Sequence, residues 1–218
     1  MKIKWYGHAA FGITTDQGVK IIIDPYQSGA FGGALTYGKI TEEADLVLTS
    51  HDHDDHNYVK DIKGTFVRIA TPGIHESKGV KIQALPAYHD PSKGSERGSN
   101  LLFVIEADGL RVTHFGDLGH VLGNDLIKDL GPIDVLLLPV GGFFTIDSLE
   151  ATEVMESVKP AITIPMHFKT EKCEFPIAPL DEFTKGKKGV IKVKSSEIEV
   201  VKESLPQKPE IFVLQYAL

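Results

Sequence analysis

The feature that most constrains this chain is a run of histidines and aspartates, SHDHDDHN at residues 50–57, directly after an apolar segment. His51 and His53 are two residues apart, so their side chains project to the same side of an extended backbone and can hold one ion. The chain is expected to turn at Asp55 and His56, which can then point toward a second ion. Three imidazoles and three carboxylates in six residues are costly without a cation, so the run predicts a metal site rather than a polar loop.

The remainder of the chain predicts two strand-rich halves with few helices. Apolar or alternating segments between turn residues predict strands, and these are Lys2–Tyr6, Phe11–Thr15, Val19–Ile23, Asp45–Thr49, Thr65–Ala70, Val80–Leu85, Asn100–Glu106, Leu110–Phe115, Asp134–Pro139, Ala161–Pro165, Val190–Val193 and Ile211–Gln215. Helices are predicted at Ser148–Val158, at Asn124–Leu130 and, briefly, from about Asn57. The lysine-rich segment Lys185–Lys194 is predicted to form a solvated hairpin. This pattern indicates an α/β protein whose sheets are covered by helices.

The histidine run also carries a family resemblance. His51-x-His53-x-Asp55-His56 is similar to the HxHxDH signature of the metallo-β-lactamase superfamily, and four further motif residues follow the superfamily's order: Asp24, His89, Asp117 and His167. The stretches 7–11, 114–120 and 139–145 more specifically resemble a subgroup of small stand-alone hydrolases related to ascorbate-6-phosphate lactonase. The resemblance covers Met1 to about Thr170 and implies a four-layer αββα sandwich. It also implies one metallo-β-lactamase-like hydrolase domain over residues 1–218, with little beyond closing strands after Thr170.

The resemblance further implies a dinuclear metal centre. By position in the motifs, the first ion would be held by His51, His53 and His89, and the second by Asp55, His56 and His167. Asp117 would bridge the two ions. No ligand position carries Cys, so the donors are nitrogen and oxygen only. Such a set accommodates two zinc ions, which we expect first, and also iron, manganese, nickel or cobalt.

Other polar residues near these motifs are candidates for supporting roles. Asp55 is expected to orient the nucleophile, and Asp24 and His114 to hold ligand imidazoles from behind, with a turn residue and a core histidine as the alternatives. His8 and His120 could assist proton transfer or be structural. Candidate substrate contacts are Arg97, Asn100, Gly142 and Thr145. His75 is expected at the surface near a helix start, and residues 28–38 are expected to form a flexible rim.

Composition narrows the class of protein. The net charge is −7 and no basic stripe with interleaved aromatics is present, which disfavours nucleic acid as a partner. A single Cys excludes a disulfide framework and any thiolate-rich metal cluster. No apolar segment is long enough to span a membrane, and the first ten residues do not form a signal peptide, so a cytoplasmic location is expected. Oligomeric state stays open.

We therefore expect an enzyme that binds a small-molecule substrate. The leading hypothesis is a metal-dependent hydrolase in which a hydroxide bridging two metals attacks an ester, lactone, amide or phosphoester. One alternative is a phosphodiesterase or nuclease, because the same centre can attack phosphorus. Another is a non-catalytic metal-binding or sensor protein. Fold resemblance alone does not decide among them.

Overall fold

Strands from both halves of the chain form two β-sheets in this computed structural model, which describes residues 1–218. The strands are β1 (Lys2–Gly7), β2 (Ala10–Thr14), β3 (Lys20–Ile23), β4 (Leu46–Leu48), β5 (Val67–Ile69), β6 (Gly73–Ser77), β7 (Val80–Tyr88), β8 (Ser99–Ala107), β9 (Leu110–His114), β10 (Val135–Pro139), β11 (Ile162–Met166), β12 (Val190–Lys192), β13 (Glu197–Glu199) and β14 (Glu210–Val213). The first sheet has the order β13-β1-β2-β3-β4-β5. The second has the order β12-β14-β11-β10-β9-β8-β7-β6.

The core lies between the two sheets. A cluster of 44 buried residues joins the inner faces of both sheets and the helices outside the second. Alternation of side chains along β3 shows how the first sheet divides its faces: Ile21 and Ile23 join this cluster, while Ile22 joins a smaller cluster of 13 residues on the opposite face. Strand β10 is buried along its whole length, as an apolar run in a covered parallel pairing should be.

Helices cover the second sheet, and irregular segments cover most of the first. The helices are α1 (Ala30–Gly33), α2 (Asn124–Leu130), α3 (Ser148–Val158) and α4 (Leu180–Thr184). Leu130, Val154 and Phe183 anchor the last three helices in the larger cluster. The short α1 contains non-helical backbone at Phe31, so the layer outside the first sheet consists mainly of loops that pack into the smaller cluster. No helix of this structure has the length and apolar character that crossing a membrane requires.

Every predicted strand is present, but several other predictions are wrong. No helix begins at Asn57, because the backbone N–H of Tyr58 donates to Pro25 instead of continuing a helical turn. His75 is half-buried within β6, an edge strand too exposed to show an alternating pattern. The segment Lys185–Lys194 is not a hairpin, since its strand β12 runs parallel to β14. The exposed strands β6 and β13 were not predicted.

The sheet topology brings many loops to one edge of the sandwich. Strand β1 is parallel to β3 through their shared antiparallel neighbour β2, and β3 is parallel to β4. In the second sheet, β7 is likewise parallel to β9, which is parallel to β10 and β11. The carboxyl ends of these strands meet at the edge where ligands commonly bind. The residues that follow these ends include His8, Asp24, the run at 50–57, His89, Asp117 and His167.

Candidate metal centre

Seven side chains converge around the carboxylate of Asp117. Its Oδ2 atom lies 3.2 Å from His56 Nε2, 3.2 Å from His89 Nε2 and 3.3 Å from His167 Nε2. His51 Nε2 lies slightly farther away, at 3.9 Å. The ligand atoms of three overlapping groups lie within 4.8 Å of one another, and the groups are His51–His53–His89, His51–His56–Asp117 and His8–Asp55–His56–His167.

The polar atoms at this centre lack partners that the protein could supply. Buried atoms without any hydrogen bond include His51 Nε2, His56 Nε2, His167 Nε2 and Asp117 Oδ1. Buried polar atoms are normally paired, so four unpaired ones at a single point need an explanation. A divalent ion bound by these imidazole nitrogens and this carboxylate oxygen would explain why they have no partner in the protein. The residues present therefore fit a bound divalent metal.

The pKa values of His51, His56 and Asp117 are shifted by burial and by one another. Burial, followed by the neighbouring His56, lowers the pKa of His51 to about 3, so its ring is neutral and able to ligate. Burial alone would also lower the pKa of His56, but the carboxylates of Asp117 and Asp55 raise it well above its usual range. Burial works against ionised Asp117, yet the rings of His167 and His56 hold its pKa far below normal. The cluster therefore favours an ionised carboxylate with positive charge beside it.

Asp24 fixes the ligand loop from behind. Its fully buried carboxylate accepts hydrogen bonds from the backbone N–H of Ser50 at 2.7 Å, from Ser50 Oγ at 2.6 Å and from His56 Nδ1 at 2.8 Å. Burial opposes this charge, but the bond from His56 and the nearby His114 lower the pKa of Asp24. Because an ionised carboxylate only accepts, His56 keeps a proton on Nδ1, and its Nε2, which faces Asp117, is the nitrogen that would bind an ion.

His8 holds Asp55 in a similar way. His8 Nε2 lies 3.0 Å from Asp55 Oδ2, and the centroid of its fully buried ring lies 4.1 Å from that of His167, with the planes tilted by 45°. Burial, followed by His167, lowers the pKa of His8 to about 4, so the neutral ring donates Nε2–H to the carboxylate. The turn that presents this ring is strained: His8 has a left-handed φ of 51°, and a Cβ on Gly7 would lie 2.4 Å from Tyr37 Cδ1.

A cavity of about 270 Å³ opens over the cluster. Its floor consists of His53, Asp55, His89, Asp117 and His167. Phe31, Phe144 and Phe175 form one wall, and Glu96 and Arg97 line the remainder. This size lies near the lower end of cavities that bind small molecules.

Comparison with known proteins identifies the family. The family model described as "Beta-lactamase superfamily domain" matches residues 2–167. The chain belongs to the metallo-β-lactamase superfamily. It is 36% identical over 195 residues to a protein of Thermococcus onnurineus named "UPF0173 metal-dependent hydrolase", covering 78% of this chain and 85% of that protein.

Two solved structures extend this similarity to the fold. One is from Thermotoga maritima, described as a Zn-dependent hydrolase of the superfamily, with a TM-score of 0.81 and 35% identity over 98% of this chain and 97% of that chain. The other is the metallo hydrolase Igni18 of Ignicoccus hospitalis, with a TM-score of 0.64 and 25% identity over 84% and 88% of the two chains. The resemblance to the superfamily and its two-sheet α/β fold are confirmed: the protein is a metal-dependent hydrolase of the superfamily.

Two predicted residues lie behind the candidate ligands rather than among them. His114 is fully buried and lies 3.9 Å from Asp24, but its Nε2 donates to the carbonyl of Ala9 at 2.8 Å and its Nδ1 accepts the backbone N–H of Gly116 at 3.0 Å, so neither nitrogen holds an imidazole. Asn100 is also fully buried, but it does not face the cavity as predicted. Its Oδ1 accepts the backbone N–H of Asp117 at 3.0 Å and its Nδ2 donates to the carbonyl of Phe115 at 2.9 Å, so it positions Asp117.

Three further predictions differ from the structure. His120 does not line the cavity; its two ring nitrogens contact the backbone N–H of Tyr88 and the carbonyl of Val121. The N–H of Gly142 donates to the carbonyl of Ile146 at 3.1 Å, and the hydroxyl of Thr145 bonds to the same carbonyl at 3.2 Å. Their polar groups are therefore used within the loop and are not offered to a substrate.

The cavity contains residues that the sequence interpretation missed. Phe175 lies after Thr170, where only closing strands were expected, and Phe144 was overlooked beside Gly142 and Thr145. Phe31 lies within the predicted rim, where no specific contact was assigned to it. No spacing signal distinguishes these phenylalanines from core residues, because they come from three separate loops. Arg97 is the one predicted substrate contact that lines the cavity.

Proposed function

We propose that this protein hydrolyses a small ester, lactone, amide or phosphoester with two bound divalent ions, with zinc as the first candidate. The observation that carries the proposal is the convergence of three imidazole nitrogens within 3.3 Å of a single buried oxygen, Asp117 Oδ2. A purely structural metal site would need neither a second group of ligands nor an open cavity above them. Together these features favour a catalytic centre within one domain spanning residues 1–218.

The ligands divide into two sets in this proposal. His51, His53 and His89 would hold one ion, and Asp55, His56 and His167 the other, with Asp117 shared between them. Bound divalent ions supply an activated water nucleophile near neutral pH and polarise the substrate oxygen that becomes negative. In hydrolysis the water's hydroxyl joins the acyl or phosphoryl atom, and its proton goes to the departing oxygen or nitrogen.

The protein's own side chains then have defined tasks. Asp24 keeps the proton of His56 on Nδ1, so that Nε2 faces the cluster. His8 donates to Asp55 Oδ2 and orients this carboxylate, making His8 a positioning residue beside the reaction. Asn100 orients Asp117 through its backbone N–H. The aromatic wall limits water on one side of the cavity.

The proposal is tested by metal content and turnover together. The full chain is stripped of metal, reloaded separately with zinc, manganese, iron, nickel or cobalt, and assayed on esters, lactones, amides, phosphomonoesters, phosphodiesters and nucleic acid. We expect two ions per chain by elemental analysis and turnover of a small substrate. Asp117→Asn is expected to lose bound metal and more than about 100-fold in activity, since it removes the shared negative ligand.

The matched control is His75→Ala, which removes a histidine on β6 that lies outside the cluster. It should keep the metal content and activity of the unaltered protein. Cleavage of phosphodiesters and nucleic acid alone would replace the proposal with a nuclease. Two bound ions without turnover of any class would favour a sensor.

A further inference from the structure

Three loops contribute a continuous aromatic wall to the cavity. The ring centroids of Phe31 and Phe175 are 5.2 Å apart and their planes meet at 79°. Phe175 and Phe144 are 5.6 Å apart at 73°. These are favourable edge-to-face contacts, so the three rings support one another as a surface. Phe175 also lies 5.7 Å from the ring of His8, which places this wall directly beside the metal ligands.

Phe31, at the outer end of this aromatic wall, has an unfavourable backbone conformation and an exposed ring. Phe31 is 52% exposed and has a left-handed φ of 55°. A bulky side chain rarely adopts this conformation, and a large apolar ring in water loses the stabilisation that burial would give. Phe31 is therefore both strained and exposed at the cavity mouth. Such a residue points to a role that the folded protein alone does not explain.

The lining of the cavity also contains charged residues, Glu96 and Arg97. The guanidinium of Arg97 forms no hydrogen bond or ion pair within the protein, and only its backbone N–H is engaged, by Asp90 Oδ2 at 2.8 Å. Glu96 also lines the cavity, but Ser92 Oγ holds its carboxylate at 2.6 Å. Two bound divalent ions would outweigh the carboxylates of Asp55 and Asp117. Arg97 is thus a free cation beside a site of net positive charge, and it favours an anionic ligand.

Hydrogen bonds within the loop that carries Arg97 fix its backbone. The fully buried carboxylate of Asp90 accepts four backbone N–H groups, from Ser92 at 2.8 Å, Gly94 at 3.0 Å, Glu96 at 3.1 Å and Arg97 at 2.8 Å. These bonds fix the backbone of residues 92–97 close to the ligand His89. The guanidinium is consequently presented from a defined position, while its own donors stay available.

We propose that the substrate is a compact amphipathic anion, with an apolar ring against Phe31, Phe144 and Phe175 and an acidic group paired with Arg97. The scissile bond would lie between these two parts, above the metal ligands; this placement rests on the proposed function. A phenyl-sized group suits a cavity of about 270 Å³. The acidic group is a carboxylate or a phosphate, since a guanidinium binds either in the same bidentate manner.

Binding of non-hydrolysable probes tests the two walls separately. Phenylacetate, phenylphosphonate, acetate and benzyl methyl ketone are titrated calorimetrically into the metal-loaded full chain. Phenylacetate or phenylphosphonate should bind about 10-fold more tightly than acetate, which lacks the ring, and than the ketone, which lacks the charge. A preference between the first two probes distinguishes carboxylate from phosphate. Equal affinity for all four probes would overturn the proposal.

Variants assign these preferences to residues. Phe31→Ala should weaken phenylacetate about 5-fold and acetate less than 2-fold, while Phe31→Leu should restore most of the loss. Arg97→Gln should weaken phenylacetate about 10-fold and leave the ketone unchanged. Ile74→Ala and Lys208→Gln remove an exposed apolar residue and an exposed cation elsewhere and should change nothing. Equal weakening of acetate and phenylacetate by Phe31→Ala, or no effect of Arg97→Gln, would contradict the assignment.

Turnover distinguishes failure of this inference from failure of the proposed function. The esters compared are monobenzyl malonate, in which the ester bond lies between a ring and a carboxylate, monoethyl malonate, which lacks the ring, and benzyl acetate, which lacks the charge. Preferential hydrolysis of the first, lost in Phe31→Ala and Arg97→Gln, supports both proposals. Hydrolysis of all three at equal rates would refute the amphipathic substrate and leave the hydrolase. The predicted binding order without turnover of any ester, lactone, amide or phosphoester would refute the hydrolase and support the ligand class.

Discussion

Replacing Asp24 with asparagine should weaken metal binding without touching a metal ligand. The carboxylate of Asp24 accepts three hydrogen bonds, two from Ser50 and one from His56 Nδ1. In Asp24→Asn the new Oδ1 can keep the bond from the Ser50 backbone, but the new amide NH₂ faces His56. Two donors cannot pair, so His56 must accept at Nδ1 and carry its proton on Nε2. That proton would occupy the lone pair that otherwise faces Asp117.

The size of the effect follows from the bonds that change. Loss of one charge-assisted hydrogen bond to a ligand histidine is worth about 1.5–3 kcal/mol, which is about 10–100-fold in the metal dissociation constant. The metal-free protein should also be less stable, by about 1–3 kcal/mol, because buried donors on Ser50 and His56 lose an ionised acceptor. For a chain of this length each kcal/mol lowers Tm by about 2–4 °C.

Competition against a chromophoric chelator measures the dissociation constant, and circular dichroism of the metal-free proteins measures Tm. Thr113→Val is the matched control: it removes a buried hydroxyl on β9 that has no hydrogen-bond partner, so it should change both quantities little. A dissociation constant for Asp24→Asn within 3-fold of the unaltered protein would refute the tautomer argument. Such a result would mean that Asp24 serves only the Ser50 turn.

Three further predictions concern stability. Removing metal with a chelator should lower Tm by about 5–10 °C relative to a 100-fold excess of metal over its dissociation constant, and no shift would mean that folding does not depend on the cluster. Gly119→Ala should lower Tm by more than about 6 °C, because its Cβ would lie 2.2 Å from the His89 carbonyl carbon, whereas Gly123→Ala meets no atom within 4 Å and should stay within about 3 °C. Burial would raise the pKa of Glu42, but hydrogen bonds from Lys4 and Tyr6 lower it in the folded protein. Ionised Glu42 therefore stabilises the fold at pH values above its unfolded-state pKa, and this stabilisation is lost as the pH falls through its folded-state pKa. Glu42→Gln should therefore cost up to about 1 kcal/mol at pH 7 and less at pH 3, and an equal cost at both pH values in urea unfolding would contradict the sign.

The fold was predictable where the sequence pattern and the burial pattern coincide. Strand β10 is an apolar run buried on both faces, and α3 begins directly after its capping residue Asp147 and buries Ala151 and Val154. The exposed edge strands β6 and β13 escaped prediction because pairing at an edge needs only backbone hydrogen bonds and leaves no alternation. The region from Asn57 escaped for a different reason: the backbone N–H of Tyr58 donates to the carbonyl of Pro25 and that of Lys63 to the carbonyl of Glu42, both distant in sequence. Local propensity carries no information about such partners.

The candidate site was predictable where its residues lie in one short motif or in motifs that follow a recognisable order along the chain. The histidines and aspartates predicted as ligands follow strand ends and lie close together at one edge of the sandwich. Roles that depend on the direction in which a polar group points were not predictable. Asn100, Gly142 and Thr145 are close in sequence to residues that line the cavity, but their polar groups form hydrogen bonds with neighbouring backbone. Phe175 lies more than 50 residues from Asp117 in the sequence, and only the folded topology brings it to the cavity.

The two halves of the site rest on different parts of the structure. The candidate metal ligands follow strands that are packed into the cluster of 44 buried residues: Leu48 lies three residues before His51, Ala87 two before His89, and Met166 one before His167. Phe175 instead belongs to the 13-residue cluster outside the first sheet, where loops rather than helices form the layer. A rigid scaffold for the chemistry and adaptable loops for recognition are a common division in enzymes. Changes in the smaller cluster should therefore alter which substrate is accepted while metal binding is preserved, and changes behind the ligands should do the reverse.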